Sequence, residues 1–144
     1  DEETLERSRT AIEERIAEQR AAAEQEWPGP DTVVAQVADG GPLVWTRRRE
    51  HAAFGAVRVG IGPAPRADEF TVPVTADRGV GGRWEELDQQ TATIADVPLA
   101  VSLREVGSVG VVGAPAATAP VVRSLLMQLG GLHSPGGVYP AERP

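Results

Sequence analysis

The first 26 residues, "DEETLERSRTAIEERIAEQRAAAEQE", contain neither glycine nor proline, and Pro28-Gly29-Pro30 follow almost at once. Ala, Glu, Gln and Arg lose little side-chain freedom in a helix. The run therefore predicts one continuous helix of about seven turns, halted at the two prolines. Its apolar positions, Leu5, Ile12, Ile16 and Ala23, with Trp27 just past the end, recur every seven or four residues. So narrow a seam suits a helix resting along a single neighbour rather than one enclosed in a core. Two arrangements fit: a projecting stalk or connector helix over 1–27, which is preferred, and an ordinary N-terminal helix packed on the domain formed by 28–144.

Beyond Pro30 the pattern alternates. "DTVVAQVAD" reads as a short helix with Asp31 as N-cap and Val33, Val34 and Val37 on one face. "LVWT" and "AVRVGIG" are β-rich runs joined by the polar "RRREHAAFG", and "EFTVPV" is a further strand that Pro73 pushes toward a sheet edge. Residues 76–83, with three glycines and two arginines, predict an exposed loop. Trp84, Leu87, Thr91 and Ile94 have helical spacing. "VPLAVSL" and "SVGVVG" resemble buried strands, and Val121, Val122, Leu125, Leu126, Leu129 and Leu132 mark a strongly apolar helix that ends at Gly130-Gly131. Strands alternating with helices predict an α/β layer fold. The tail "SPGGVYPAERP" predicts no element.

The 144-residue length, with 41% hydrophobic and 24% charged residues, allows one domain with a real core. No run approaches the roughly 18–20 apolar residues of a membrane span, and nothing resembles a signal peptide, so the chain reads as soluble. Starting at Asp1 without methionine, it reads as a piece of a longer polypeptide. With no cysteine there is no disulfide, thiolate metal site or cysteine nucleophile, and His51 and His133 are too far apart in sequence to suggest a metal site. All fourteen basic residues are arginine, which excludes a Schiff-base lysine and the lysine of a phosphate loop. The net charge is −7. Residues 1–26 hold nine acids against four arginines, and neither part of the chain has the basic footprint of a nucleic-acid binder.

"GVVGAPAATAPVVRSLLMQL" (110–129) has the strand, small-residue turn and helix order in which a phosphate loop would sit. The template G-x-x-x-x-G-K-[ST], started at Gly113, puts Thr118 at the second glycine, Ala119 at the lysine and Pro120 at the hydroxyl, so every functional position fails. Gly107, Gly110 and Gly113 are also misspaced for a dinucleotide fingerprint. A structural turn is the simpler reading; the alternative is residual anion or nucleotide binding at the helix N-terminus.

Other constellations are weaker. Arg47, Arg48, Arg49 and His51 form the dense basic patch, either a solvated turn or a contact for acidic protein or anionic head groups. His51 reads as a local hydrogen-bonding residue and His133 as a cap on a helix C-terminus. Adjacent pairs such as Glu85 and Glu86 serve solubility. Serines 8, 102, 108, 124 and 134 lack a nucleophile-elbow context, and Trp27, Trp45 and Trp84 read as core or rim anchors.

Two stretches carry a resemblance. "LVWTRRREHAAFGAVRVGIG" (43–62) resembles the pattern L-x-W-x-R-R-x-x-H-x-D-F-x-x-V-R-V-G-x-G. "VPLAVSLREVGSVGVVG" followed by "VVRSLLMQLGGLHSP" (97–135) resembles its usual companion. Together they resemble the membrane-proximal cytosolic domain of EccC, the FtsK/SpoIIIE-type ATPase of type VII (ESX) secretion systems, over about residues 27–135. Ala53 departs from the acidic residue usual before Phe54.

The resemblance implies a stalk below two transmembrane helices. It also implies a degenerate, P-loop-ATPase-like layered sheet, incomplete after Pro135. The implied role is non-catalytic: coupling downstream ATPase modules of the same polypeptide to EccB, EccD and EccE at the cytosolic face of the plasma membrane during export of WXG100-type proteins. No enzymatic activity, cofactor, metal or nucleic acid is expected for this chain. The alternative role is a regulatory domain that binds ATP without hydrolysing it. A DNA-translocase segment is disfavoured by the charge.

Overall fold

The computed structural model describes residues 2–67 and 78–135, with the backbone alone for 78–81. Its elements, in chain order, are α1 (Glu2–Glu26), α2 (Pro30–Asp39), β1 (Ala56–Pro65), α3 (Arg78–Thr91), β2 (Thr93–Ser102), α4 (Leu103–Val106) and α5 (Pro115–Gly131). This is an α/β chain with a long N-terminal stalk helix. β1 and β2 form a two-stranded antiparallel ribbon, in which the Leu103 amide reaches the Gly55 carbonyl at one end and the Arg66 amide reaches the Ala92 carbonyl at the other. No helix among the described residues is long and apolar enough to cross a membrane. Residues 1–26 and 61–98 make one compact unit, and residues 27–60 and 99–144 a second.

In the first unit α1 runs without interruption, about 37 Å at 1.5 Å per residue. Leu5 and Ile12 are buried against Trp84 and Leu87 of α3, with Ile16 packed on the same cluster. The seven-and-four spacing of the seam is therefore a packing surface. Lower on the helix, the Gln19 amide group donates to the Pro65 carbonyl (3.2 Å) and accepts from the Ala67 amide (2.8 Å), while Arg20 donates to the Ala95 carbonyl (3.0 Å). Arg66 is tied to α3 through Asp88 and the Thr91 hydroxyl, each at 2.6 Å.

Two expectations are corrected in this unit. Residues 78–83 are helical although their glycines cost about 1 kcal/mol each relative to alanine. Burial of Trp84 and Leu87 fixes the following turns, and extending an existing helix backward needs no new nucleus. Ile94 continues the helical spacing on paper but lies in β2, buried. The helix stops at Thr91 because the next residue, Ala92, already pairs with Arg66 across the ribbon. "EFTVPV" lies outside the described residues.

In the second unit α2 packs on α5, and Gly131 makes the approach possible, since a Cβ there would lie 2.3 Å from Val37 Cγ2. The α2 N-cap is Gly29 with Pro30 at the first helical position. Asp31 is thus a first-turn residue rather than the cap, because proline's fixed φ and missing amide suit that position. Val33 is buried, whereas Val34, a third of a turn around the helix, is exposed. At the other end Gly40, at φ 62°, turns its amide back to the Gln36 and Val37 carbonyls, a left-handed closure that glycine adopts at little cost.

The runs "LVWT" and "SVGVVG" are not strands. Residues 43–46 form successive turns, with Val44 bonded to Gly41, Thr46 to Leu43 and Trp45 at φ 56°. The Gln36 side chain accepts the Leu43 amide and holds that bend. Residues 108–112 carry no regular structure, and Val112 is 97% exposed. A β-rich composition makes a strand only where a neighbour takes its hydrogen bonds, and β1 and β2 are the strands of the described residues.

Candidate functional site

The loop before α5 was the sequence candidate for phosphate. Gly113 is exposed, and a Cβ on it would meet Thr118 Cγ2 at 3.3 Å. The helix starts at Pro115, with Ala114 as N-cap. The first turn therefore offers few amides to an anion: Pro115 has none, and those of Ala117 and Thr118 both donate to the Ala114 carbonyl, at 2.9 and 3.0 Å. Pro120 consequently lies inside the helix, not in its first turn, and deprives the Ala116 carbonyl of its usual partner. Ala119 and Pro120, at the lysine and hydroxyl positions of the template, lie within α5 and carry neither a cation nor a hydroxyl.

The basic patch divides. Arg48 and Arg49 are exposed, but Arg47 is 5% exposed. Its guanidinium carbon stands 4.5 Å from the Trp27 ring centroid, and its Nη1 donates to the Ala56 carbonyl at 3.2 Å. Cation–π stacking and a charge-assisted hydrogen bond replace the water that a buried guanidinium loses. The Arg47 backbone forms a parallel bridge with His133: its amide donates to the Leu132 carbonyl and its carbonyl accepts from Ser134. Trp45 clasps the same helix end, its amide on the Gly131 carbonyl (2.8 Å) and its indole Nε1 on the Gly130 carbonyl (3.1 Å). The stretches 43–62 and 121–135 thus meet at one junction.

His133 is 1% exposed. Its Nδ1 lies 3.0 Å from the Gln128 carbonyl, which makes that nitrogen the donor, and Phe54 meets the ring edge-on at 5.6 Å. Burial holds the imidazole below its ordinary pKa, and the positive charge of Arg47 acts in the same direction. The Gln128 and Ala53 carbonyls oppose this, although no partner meets hydrogen-bond geometry at Nε2. The helix-capping role predicted for His133 holds, but as a neutral ring rather than a cation. His51 is exposed and accepts the Ala53 amide on Nδ1 (3.0 Å), closing a local turn.

Gln128 escaped the sequence reading. It is 4% exposed, and its side chain accepts the Arg58 amide (2.7 Å) and donates to the Arg58 carbonyl (2.9 Å). With Arg47 on Ala56, it satisfies the edge of β1 as a further strand would. The available signal was a lone amide among the apolar residues of α5.

The Gly113 turn and the Arg47–His133 junction share no hydrogen bond or ring contact among the described residues. No group of His, Cys, Asp and Glu among the described residues could hold a metal ion. The junction is a packed joint that presents Arg48 and Arg49, not a cavity with reactive groups.

No protein-family model matches the chain. It is 33% identical over 132 residues to the ESX-4 secretion system protein EccC4 of Mycobacterium tuberculosis, a span of 88% of this chain and 10% of that protein. It is 32% identical over 135 residues to the ESX secretion system protein EccC of Thermomonospora curvata, 90% of this chain and 10% of that protein. The chain spans about a tenth of the length of these relatives.

Proposed function

Given that the chain is an EccC-type domain of ESX secretion systems, we propose that it is a non-catalytic coupling and assembly domain. It links the membrane complex of a type VII secretion system to ATPase modules elsewhere in the same polypeptide. The observation that carries this reading is the turn before α5: it lacks the lysine, second glycine and hydroxyl of a phosphate loop, and two first-turn amides are bonded to Ala114. Residues of the two stretches that carry the EccC-like pattern are instead engaged in joining α5 to the segment before β1. A rigid joint of this kind transmits force or position without chemistry.

On this reading the working surface includes exposed Arg48 and Arg49, the partners are EccB, EccD and EccE, and the domain works at the cytosolic face of the plasma membrane without cofactor. An EccC-type protein carrying Arg48→Glu and Arg49→Glu should fail to co-purify with the membrane complex while its ATPase modules keep their activity. Export that proceeds normally after this domain is replaced by a flexible linker would refute the proposal.

A further inference from the structure

Five exposed apolar side chains, Val34, Trp45, Val122, Leu126 and Met127, belong to the second unit. Val122 and Leu126 lie one helical turn apart on α5, and Leu126 is 62% exposed. One turn further, the Gly130 carbonyl accepts the Trp45 indole, so Trp45, 51% exposed, extends the stripe. Beside it, Met127 and Val34 line an open groove of about 380 Å³ between α5 and the start of α2. Exposed apolar side chains beside an open groove suit an interaction site, and Trp and Arg are the residues most often dominant in such contacts.

The charge narrows the occupant. Arg123 lines the same groove, is exposed and has no ion-pair partner among the described residues. Asp31, the carboxylate of the groove wall, stands in the first turn of α2, where the helix dipole already holds it. The uncompensated charge of the groove is that of Arg123. The two units differ in the same sense: sixteen carboxylates face seven arginines in the first, five face seven in the second.

We propose that the α2–α5 face is a docking surface for an acidic amphipathic helix of a partner protein. The helix's apolar residues enter the groove and cover Leu126 and Trp45, and a carboxylate at its flank pairs with Arg123. A grooved helix pair with a continuing stripe receives side chains at helical spacing, which a flat bilayer surface does not offer. The inference concerns the α2–α5 groove, which the coupling role leaves unassigned, and it stands or falls separately.

The test is calorimetric titration of the full chain with a synthetic helix of about 18 residues carrying leucines at i, i+4 and i+7 flanked by glutamates. Saturable binding with a Kd of roughly 10–100 µM is expected. Leu126→Asp should weaken it about tenfold or more and Arg123→Glu about fivefold, with a lysine-for-glutamate peptide restoring binding to the latter alone. Unchanged circular dichroism of both variants keeps the comparison interpretable. No binding at about 1 mM peptide, equal binding of a scrambled peptide, or indifference to both substitutions would overturn the proposal. So would binding to phosphatidylglycerol vesicles that these substitutions abolish while the peptide fails to bind.

Discussion

Replacing Gln128 by leucine probes the joint where it is least visible. The substitution keeps the volume and the helix propensity, but leaves both the amide and the carbonyl of Arg58 without the partners they have at 2.7 and 2.9 Å. A buried backbone group stripped of its hydrogen bond costs about 1–3 kcal/mol. Arg58 is half-buried, so water recovers part of that loss and about 1–1.5 kcal/mol applies to each group, giving about 2–3 kcal/mol for the two together. Native-state hydrogen exchange reads the effect where it occurs: protection of the Arg58 amide should fall roughly 30- to 150-fold in the leucine variant. A change of less than about 0.5 kcal/mol with Arg58 protection intact would mean that Gln128 does not complete the β1 edge.

Further outcomes follow from the packing and the buried ring. The His133 pKa is lowered by folding, so below its unfolded value of about 6.5 the unfolded chain takes up a proton that the folded chain does not. Stability of the second unit should therefore fall as pH drops from about 6.5, by at most about 1.4 kcal/mol per pH unit. His133→Leu should flatten that slope in a pH series of denaturation curves. Gly131→Ala puts a Cβ 2.3 Å from Val37 Cγ2 and should cost roughly 1–3 kcal/mol; Val37→Ala in the same chain should return part of the loss, a coupling that a double-mutant cycle measures. Trp84→Ala empties the contact between α1 and α3 and should cost roughly 3–5 kcal/mol, seen as lost amide protection along α1.

The parts legible in the sequence were those decided locally. The absence of glycine and proline set α1, the β-rich and apolar runs "AVRVGIG" and "VPLAVSL" set β1 and β2, and the apolar spacing after Val121 set α5. Misreadings fell where a distant partner decides. Trp45 belongs to a turn because α5 offers it two carbonyls, and residues 108–112 stay irregular because no strand flanks them among the described residues. The glycines at 79, 81 and 82 are carried into α3 by the burial that follows them. At the site, composition already spoke against a phosphate loop, whereas the burial of Arg47, the neutral cap of His133 and the edge-closing role of Gln128 depend on contacts between residues far apart in the chain, such as Arg47 with His133 and Gln128 with Arg58. A pattern within a short window does not carry such pairings.

The most direct test of the non-catalytic coupling role is calorimetry of Mg·ATP against the purified chain. The account predicts no saturable heat up to about 1 mM nucleotide, because Ala119 and Pro120 stand where a phosphate loop has its lysine and hydroxyl, and the turn before α5 has few free amides. Micromolar binding abolished by Gly113→Trp would contradict it and make the domain a nucleotide sensor instead.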